Sequence, residues 1–132
     1  MNGSPHFFVD RSLGRIRVPG GLRAAGWSLT TLTEHYGIPA DESVSDVDWL
    51  ELAGQRGWAV LMKDDRIRRR PTEVAALKAA GVHAFCIANG NLTAEQQLQV
   101  LLKHQNGVFL RCGGQGPSLH TLNMAGMRII TL

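Results

Sequence analysis

Three short stretches of this chain are almost wholly apolar: His6 to Val9, Trp58 to Met62 and Val82 to Ala88. Each has the length of a strand rather than of a helix. A strand wetted on one face alternates apolar with polar residues, whereas a strand buried on both faces does not. Longer segments with helical spacing separate these runs. Such a chain must lay its strands side by side, mainly parallel, and cover both faces with helices. Right-handed crossovers then give a three-layer α/β/α sandwich.

The helical segments carry their own punctuation. Pro19 to Gly26 reads as a short helix, with proline at the first helical position and glycine as the stop. Trp27 to Leu32 reads as a second strand, and Glu34 to Ser45, with Gly37 and Pro39, as a loop. Ser45 and Asp48 have capping-box spacing ahead of Trp49, Leu50 and Ala53, and Gly57 ends that helix. Pro71 opens another helix, which Gly81 closes. Thr93 and Gln96 form a second capping-box pair, opening a helix with Leu98, Leu101 and Leu102 on one face. Beyond the Gly113–Pro117 loop, strands near Leu119–Leu122 and Arg128–Leu132 could pair as a hairpin around Ala125-Gly126.

The chain has 132 residues, enough for one compact domain with a real core, so 1–132 reads as a single unit with a core of about 6–110 and an extension over 111–132. An apolar fraction of 44% and a charged fraction of 19% exclude global disorder. No apolar stretch is long enough to span a bilayer and the N-terminus lacks a signal pattern, so no membrane association is expected and the cytoplasm is the default compartment. Cys86 and Cys112 form no CxxC pair, which removes support for a zinc site, and Cys86 reads as a packed hydrophobe. The five histidines show no ligand spacing, and the absence of a GxGxxG or Walker loop argues against nucleotide cofactors.

In an open parallel sheet, functional groups gather at the carboxyl ends of strands. The polar residues that follow the apolar runs meet that test. Asp10 follows the first run, Asp64 and Asp65 follow the third strand after Lys63, and Asn89 and Asn91 follow the fourth. Asp46 stands at the start of the helix that leads into strand three. Carboxylates brought together repel one another and need a cation, and hard oxygen ligands suit Mg²⁺ or Mn²⁺. Such a cation lowers the pKa of a bound water and steadies charge on a phosphoryl oxygen, so the chemistry implied is phosphodiester hydrolysis. In this reading Asp10 and Asp64 are direct ligands, and Asp46 holds the metal or orients its water.

Each acid also has a plainer role open to it. Asp10 can start a turn, Asp46 can favour a helix dipole, and Asp64 and Asp65 can pair with neighbouring arginines. Asp48 is the residue placed to cap, which favours Asp46 as the functional acid and leaves Asp48, Asp65 and Asn89 as auxiliary candidates. Net charge is +3, and its distribution is uneven: Lys63, Arg66, Arg68, Arg69 and Arg70 crowd together beside the acids. That run is either a solvated loop or a contact for the phosphate backbone of RNA, with Arg11, Arg15 and Arg17 extending the surface.

FFVDRSLG at 7–14, VSDVDWLELAGQRGWAVLMKDDRIRRRPTEV at 44–74 and ANGNLTAEQ at 88–96 together resemble the PIN-like domains of the VapC-type toxin group. The resemblance implies a Mg²⁺- or Mn²⁺-dependent ribonuclease, the toxin of a toxin–antitoxin pair, neutralised by a small antitoxin and capable of forming a homodimer. By position it assigns Asp10, Asp46 and Asp64 to the acidic cluster. Two features depart from the pattern. Met62 stands where threonine or serine usually precedes the strand-three acid, and the downstream fourth acid has no clear counterpart, leaving Asp65 or Asn89 as substitutes. Two other readings compete: a PIN-like module that binds RNA or a protein with weak catalysis, and a receiver-like signalling domain. A receiver has paired acids after its first strand, and only Asp10 stands there.

Overall fold

A computed structural model describes residues 5–63, 70–88 and 91–132. Its centre is a six-stranded sheet in the order β2-β1-β3-β4-β5-β6. The strands are β1 (His6–Val9), β2 (Ser28–Thr31), β3 (Ala59–Met62), β4 (His83–Ile87), β5 (Ser118–Leu122) and β6 (Met127–Ile130). Every pairing is parallel except β5 with β6, which forms the antiparallel hairpin expected at the end of the chain. The fold is the α/β/α sandwich anticipated from the apolar runs.

Among the described residues, six α-helices cover the two faces: α1 (Arg17–Ala24), α2 (Leu32–Tyr36), α3 (Asp46–Arg56), α4 (Pro71–Ala80), α5 (Ala94–Lys103) and α6 (Gln105–Cys112). One core joins Phe7, Val9, Leu61 and Phe85 to residues of α1, α5 and α6, including Leu22, Leu101 and Val108. The other joins Phe8, Val60, Met62 and Cys86 to residues of α2, α3 and α4, including Leu32, Trp49 and Leu77. Alternate residues of one strand enter opposite cores, so each central strand had to be apolar throughout. Among the described residues, no helix is long and apolar enough to cross a membrane.

Several boundaries differ from the sequence reading. Helix α1 starts at Arg17, two residues before Pro19, which still falls in the first turn where its missing N–H costs no helical bond. Leu32 opens α2 instead of ending β2. The cause is a capping box in which Thr31 Oγ1 accepts the Glu34 N–H and Glu34 accepts the Thr31 N–H. The segment expected to be all loop from Glu34 therefore begins as a helix. Ser45 caps α3 by accepting the Asp48 N–H at 3.1 Å, but Asp48 does not complete the reciprocal bond. Gly57 ends α3 in the left-handed region at φ 71°.

Helix α5 ends at His104 (φ −97°, ψ 11°), and Gly107 lies inside α6. A Cβ there would meet the flexible side-chain tip of Met127, at Cε, 3.0 Å away. The segment after residue 111 completes the sheet through β5 and β6.

Candidate active site

The chain runs from β1 outward to β2, then returns to place β3 on the other side of β1. The crevice at the carboxyl ends of β1 and β3 is therefore the topological switch point, where open α/β sheets bind ligands. A pocket of about 190 Å³ lies there, lined by Asp10, Arg11, Ser12, Asp46, Trp49, Met62 and Arg70. A larger cleft of about 450 Å³ between α3 and α4 is mainly apolar and has Glu51 as its one charged lining residue. Size favours that cleft, but chemistry favours the pocket at the switch point.

Asp10 continues the ladder by donating its N–H to Leu61 O at 2.9 Å, which fixes its backbone at the strand end. Its Oδ2 accepts the Ser12 hydroxyl at 2.6 Å and the Ser12 N–H at 3.3 Å. Burial raises the Asp10 pKa above the usual carboxylate value; the Ser12 bonds oppose that shift, and the charge of Asp46 adds to it. Ser12 Oγ also accepts the Lys63 N–H at 3.0 Å, tying the exit of β3 to the exit of β1.

Asp46 arrives from the first turn of α3. Its Oδ1 accepts the indole N–H of the buried Trp49 at 2.8 Å, a bond that helical spacing of three makes possible. Its Oδ2 faces Arg70 Nη1 at 3.7 Å, and the same guanidinium lies 3.4 Å from Glu73 Oε1. Arg11 donates to the backbone oxygen of Asp41 at 2.7 Å, which anchors its guanidinium at the pocket rim.

The structure thus brings Asp10, Asp46, Arg11 and Arg70 together. Asp48 is exposed and does not line the pocket. Lys63 contributes the backbone N–H described above. Asp64, Asp65, Arg66, Arg68, Arg69 and Asn89 lie outside the described residues. Arg17 pairs with Glu95 on α5 rather than joining the pocket. Among the described residues no three His, Cys, Asp or Glu side chains converge closely enough to hold a metal. The described donor set is two carboxylates whose negative charges act on one another, one of them with a raised pKa. Hard oxygen donors under mutual repulsion fit a divalent cation such as Mg²⁺ or Mn²⁺.

Two contributors were not singled out in the sequence. Ser12 sits two residues after Asp10, a spacing at which side chain and backbone commonly bond, but its second partner is distant in sequence. Trp49 was recognised only as an apolar helix residue. Met62, which broke the expected hydroxyl pattern, does line the pocket.

Residues 5–89 match the family described as a PIN-like domain. The chain belongs to this family, and the matched region contains the whole described pocket. It is also similar to "Putative ribonuclease VapC45" of Mycobacterium tuberculosis, with 36% identity over 118 residues, covering 89% of this chain and 86% of that protein. No solved structure matches the chain.

Proposed function

We propose that this chain is a metal-dependent endoribonuclease and the toxin of a toxin–antitoxin pair. The observation that carries this reading is the convergence of Asp10 and Asp46, from separate elements, with Arg11 and Arg70 in the pocket at the switch point. Family membership and the name of the mycobacterial relative support it.

Asp10 and Asp46, with Asp64, would hold Mg²⁺ or Mn²⁺. When bound, the cation supplies an activated water and stabilises charge on the phosphoryl group. Ser12 holds the Asp10 carboxylate in place, and Trp49 does the same for Asp46. Arg11 and Arg70, with Lys63, Arg66, Arg68 and Arg69, bind RNA phosphates. Asp48, Asp65 and Asn89 remain auxiliary. The partners in this reading are an RNA substrate, a small antitoxin protein and a second copy of the chain in a homodimer. Its compartment is the cytoplasm.

The test is cleavage of several RNAs during Mn²⁺ and Mg²⁺ titration, with EDTA as control. Cleavage that appears with the cation and disappears with chelation is expected. Met62, where the family pattern has a hydroxyl, favours a second reading: a PIN-like module with weak catalysis that binds RNA or a protein. RNA binding without cation-dependent cleavage selects that alternative.

A further inference from the structure

The C-terminal hairpin builds a second pocket on the edge that carries the acids. Its volume is about 340 Å³, and its lining includes Ala88, Thr121, Asn123, Gly126, Met127 and Arg128. These residues cluster where β4 and β5 end and β6 begins. The two pockets share a register. Met62 pairs with Cys86, Cys86 with Thr121, and Thr121 with Arg128. Cross-strand partners project from the same face of a sheet. Met62 faces α3, so this row runs from the floor of the acidic pocket to Arg128 on one face. With strands about 4.8 Å apart, Thr121 stands roughly 10 Å from Met62 and Arg128 roughly 14 Å from it.

The chemistry of the second pocket is polar and cationic. Arg128 is exposed and makes no ion pair among the described residues. The Asn123 Oδ1 is committed to the turn, accepting the N–H groups of Ala125 at 2.8 Å and Gly126 at 3.0 Å. Its two amide hydrogens are left as donors. Thr121 adds a hydroxyl on the Arg128 face. A guanidinium for phosphate, beside an amide donor and a hydroxyl for sugar or base edges, is a nucleotide's complement.

We propose that this hairpin pocket is an RNA subsite. It receives a nucleotide a few positions from the scissile phosphate, with Arg128 on its phosphate and Asn123 and Thr121 on its sugar or base. The proposal rests on the ribonuclease reading for the direction of the strand across the edge, but its binding test does not require cleavage. A single strand crossing both pockets gains affinity with length, because a longer oligomer fills both pockets at once.

The experiment compares the parent with R128Q, an exposed position whose change should leave the melting temperature unaltered. Binding of a labelled RNA trinucleotide and nonanucleotide is measured in EDTA across a salt series, and cleavage of the longer RNA is measured in Mn²⁺. The parent should bind the nonanucleotide on the order of 10-fold more tightly than the trinucleotide, through an added charge-assisted contact. R128Q should lose most of that gain, lower the salt slope by about one, and raise KM with little change in kcat. Equal nonanucleotide binding by R128Q and parent overturns the subsite, even if both cleave RNA. An Arg128-dependent length gain in a parent that cleaves nothing upholds the subsite and rejects the ribonuclease reading. Polyglutamate binding as tight as the RNA, with the same loss in R128Q, overturns the proposal in favour of an acidic protein segment.

Discussion

The Ser12 hydroxyl donates to Asp10 Oδ2 at 2.6 Å. Because Ser12 Oγ also accepts the Lys63 N–H at 3.0 Å, one side chain sets both the carboxylate and the start of the segment that carries Asp64. Ser12→Ala removes both bonds. Outer partners of metal-binding carboxylates are typically worth about 10- to 100-fold in affinity or activity, and a loss of that size in RNA cleavage is expected. The Ser12 hydroxyl bond holds the Asp10 pKa down against burial, so its removal raises it further, although the Ser12 N–H bond persists in the alanine variant. The acidic limb of the pH–rate profile should therefore move to higher pH. Ser12→Thr, which keeps the hydroxyl, should recover part of the activity. A full-activity alanine variant with an unmoved profile would refute this role.

Asp10→Asn and Asp46→Asn should each abolish cleavage while the fold survives, with losses of about 100-fold or more, because metal-assisted stabilisation is worth several kcal/mol. Asp48→Asn, altering an exposed side chain outside the pocket, should cleave like the parent. Thermal melting gives a readout independent of activity. A cation at about 100 times its Kd stabilises the protein it binds by about 2.7 kcal/mol, so Mn²⁺ should raise the parent Tm but not that of Asp10→Asn. The raised pKa fixes the sign in the absence of metal. Folded Asp10 holds its proton more tightly than unfolded Asp10, so stability falls as pH rises from the unfolded pKa through the folded one. At neutral pH without metal, Asp10→Asn should melt at or above the parent temperature.

Sequence alone revealed what depends on local pattern. Strands β1, β3 and β4 were legible because burial on both faces leaves no polar alternation. Asp46 was preferred over Asp48 because Ser45 lies three residues before Asp48; the Asp48 N–H does bond to Ser45, but the Asp48 side chain does not return the bond. Helix α2 was missed although Thr31 and Glu34 have capping-box spacing, because Gly37 and Pro39 dominated the reading of that stretch. The break at His104 has no glycine or proline to announce it. Ser12 was readable as a turn residue but not as a brace, since Lys63 is brought to it only by the pairing of β1 with β3.

Two glycines of similar helical setting should respond oppositely to alanine. At Gly54 a Cβ would meet the backbone oxygen of Ala80 at 2.6 Å, where α3 and α4 touch. Backbone cannot yield as a side-chain tip can, so Gly54→Ala should cost about 1–3 kcal/mol despite its better helix propensity. At Gly107 the obstacle is Met127 Cε, the flexible end of a methionine, at 3.0 Å. Gly107→Ala should be neutral or stabilising by up to about 1 kcal/mol. Urea unfolding of both variants decides the matter. A neutral Gly54→Ala would mean that α3 and α4 can separate.

His120 supplies the clearest pH dependence of stability. Its ring stacks on Phe85 with centroids 4.9 Å apart, and its Nε2 lies 3.0 Å from Ser118 Oγ. His83 Nδ1 lies 2.6 Å from the same oxygen, while His83 Nε2 lies 2.9 Å from Gly114 O. A carbonyl only accepts, so His83 carries its proton on Nε2 and takes the Ser118 hydroxyl hydrogen on Nδ1. Ser118 is then free to accept from His120 Nε2–H. Burial lowers the His120 pKa to about 4, with the Arg111 charge and the nearby His83 ring acting in the same direction. The unfolded chain therefore binds the proton first as pH falls. Stability from neutral His120 is fully present above the unfolded value near 6.5 and is lost as pH falls towards about 4. A shift of that size corresponds to about 3 kcal/mol at most. His120→Gln, which keeps a donor without a titrating ring, should melt with a flatter pH dependence between those limits. An unchanged slope would place the acid sensitivity of this fold elsewhere.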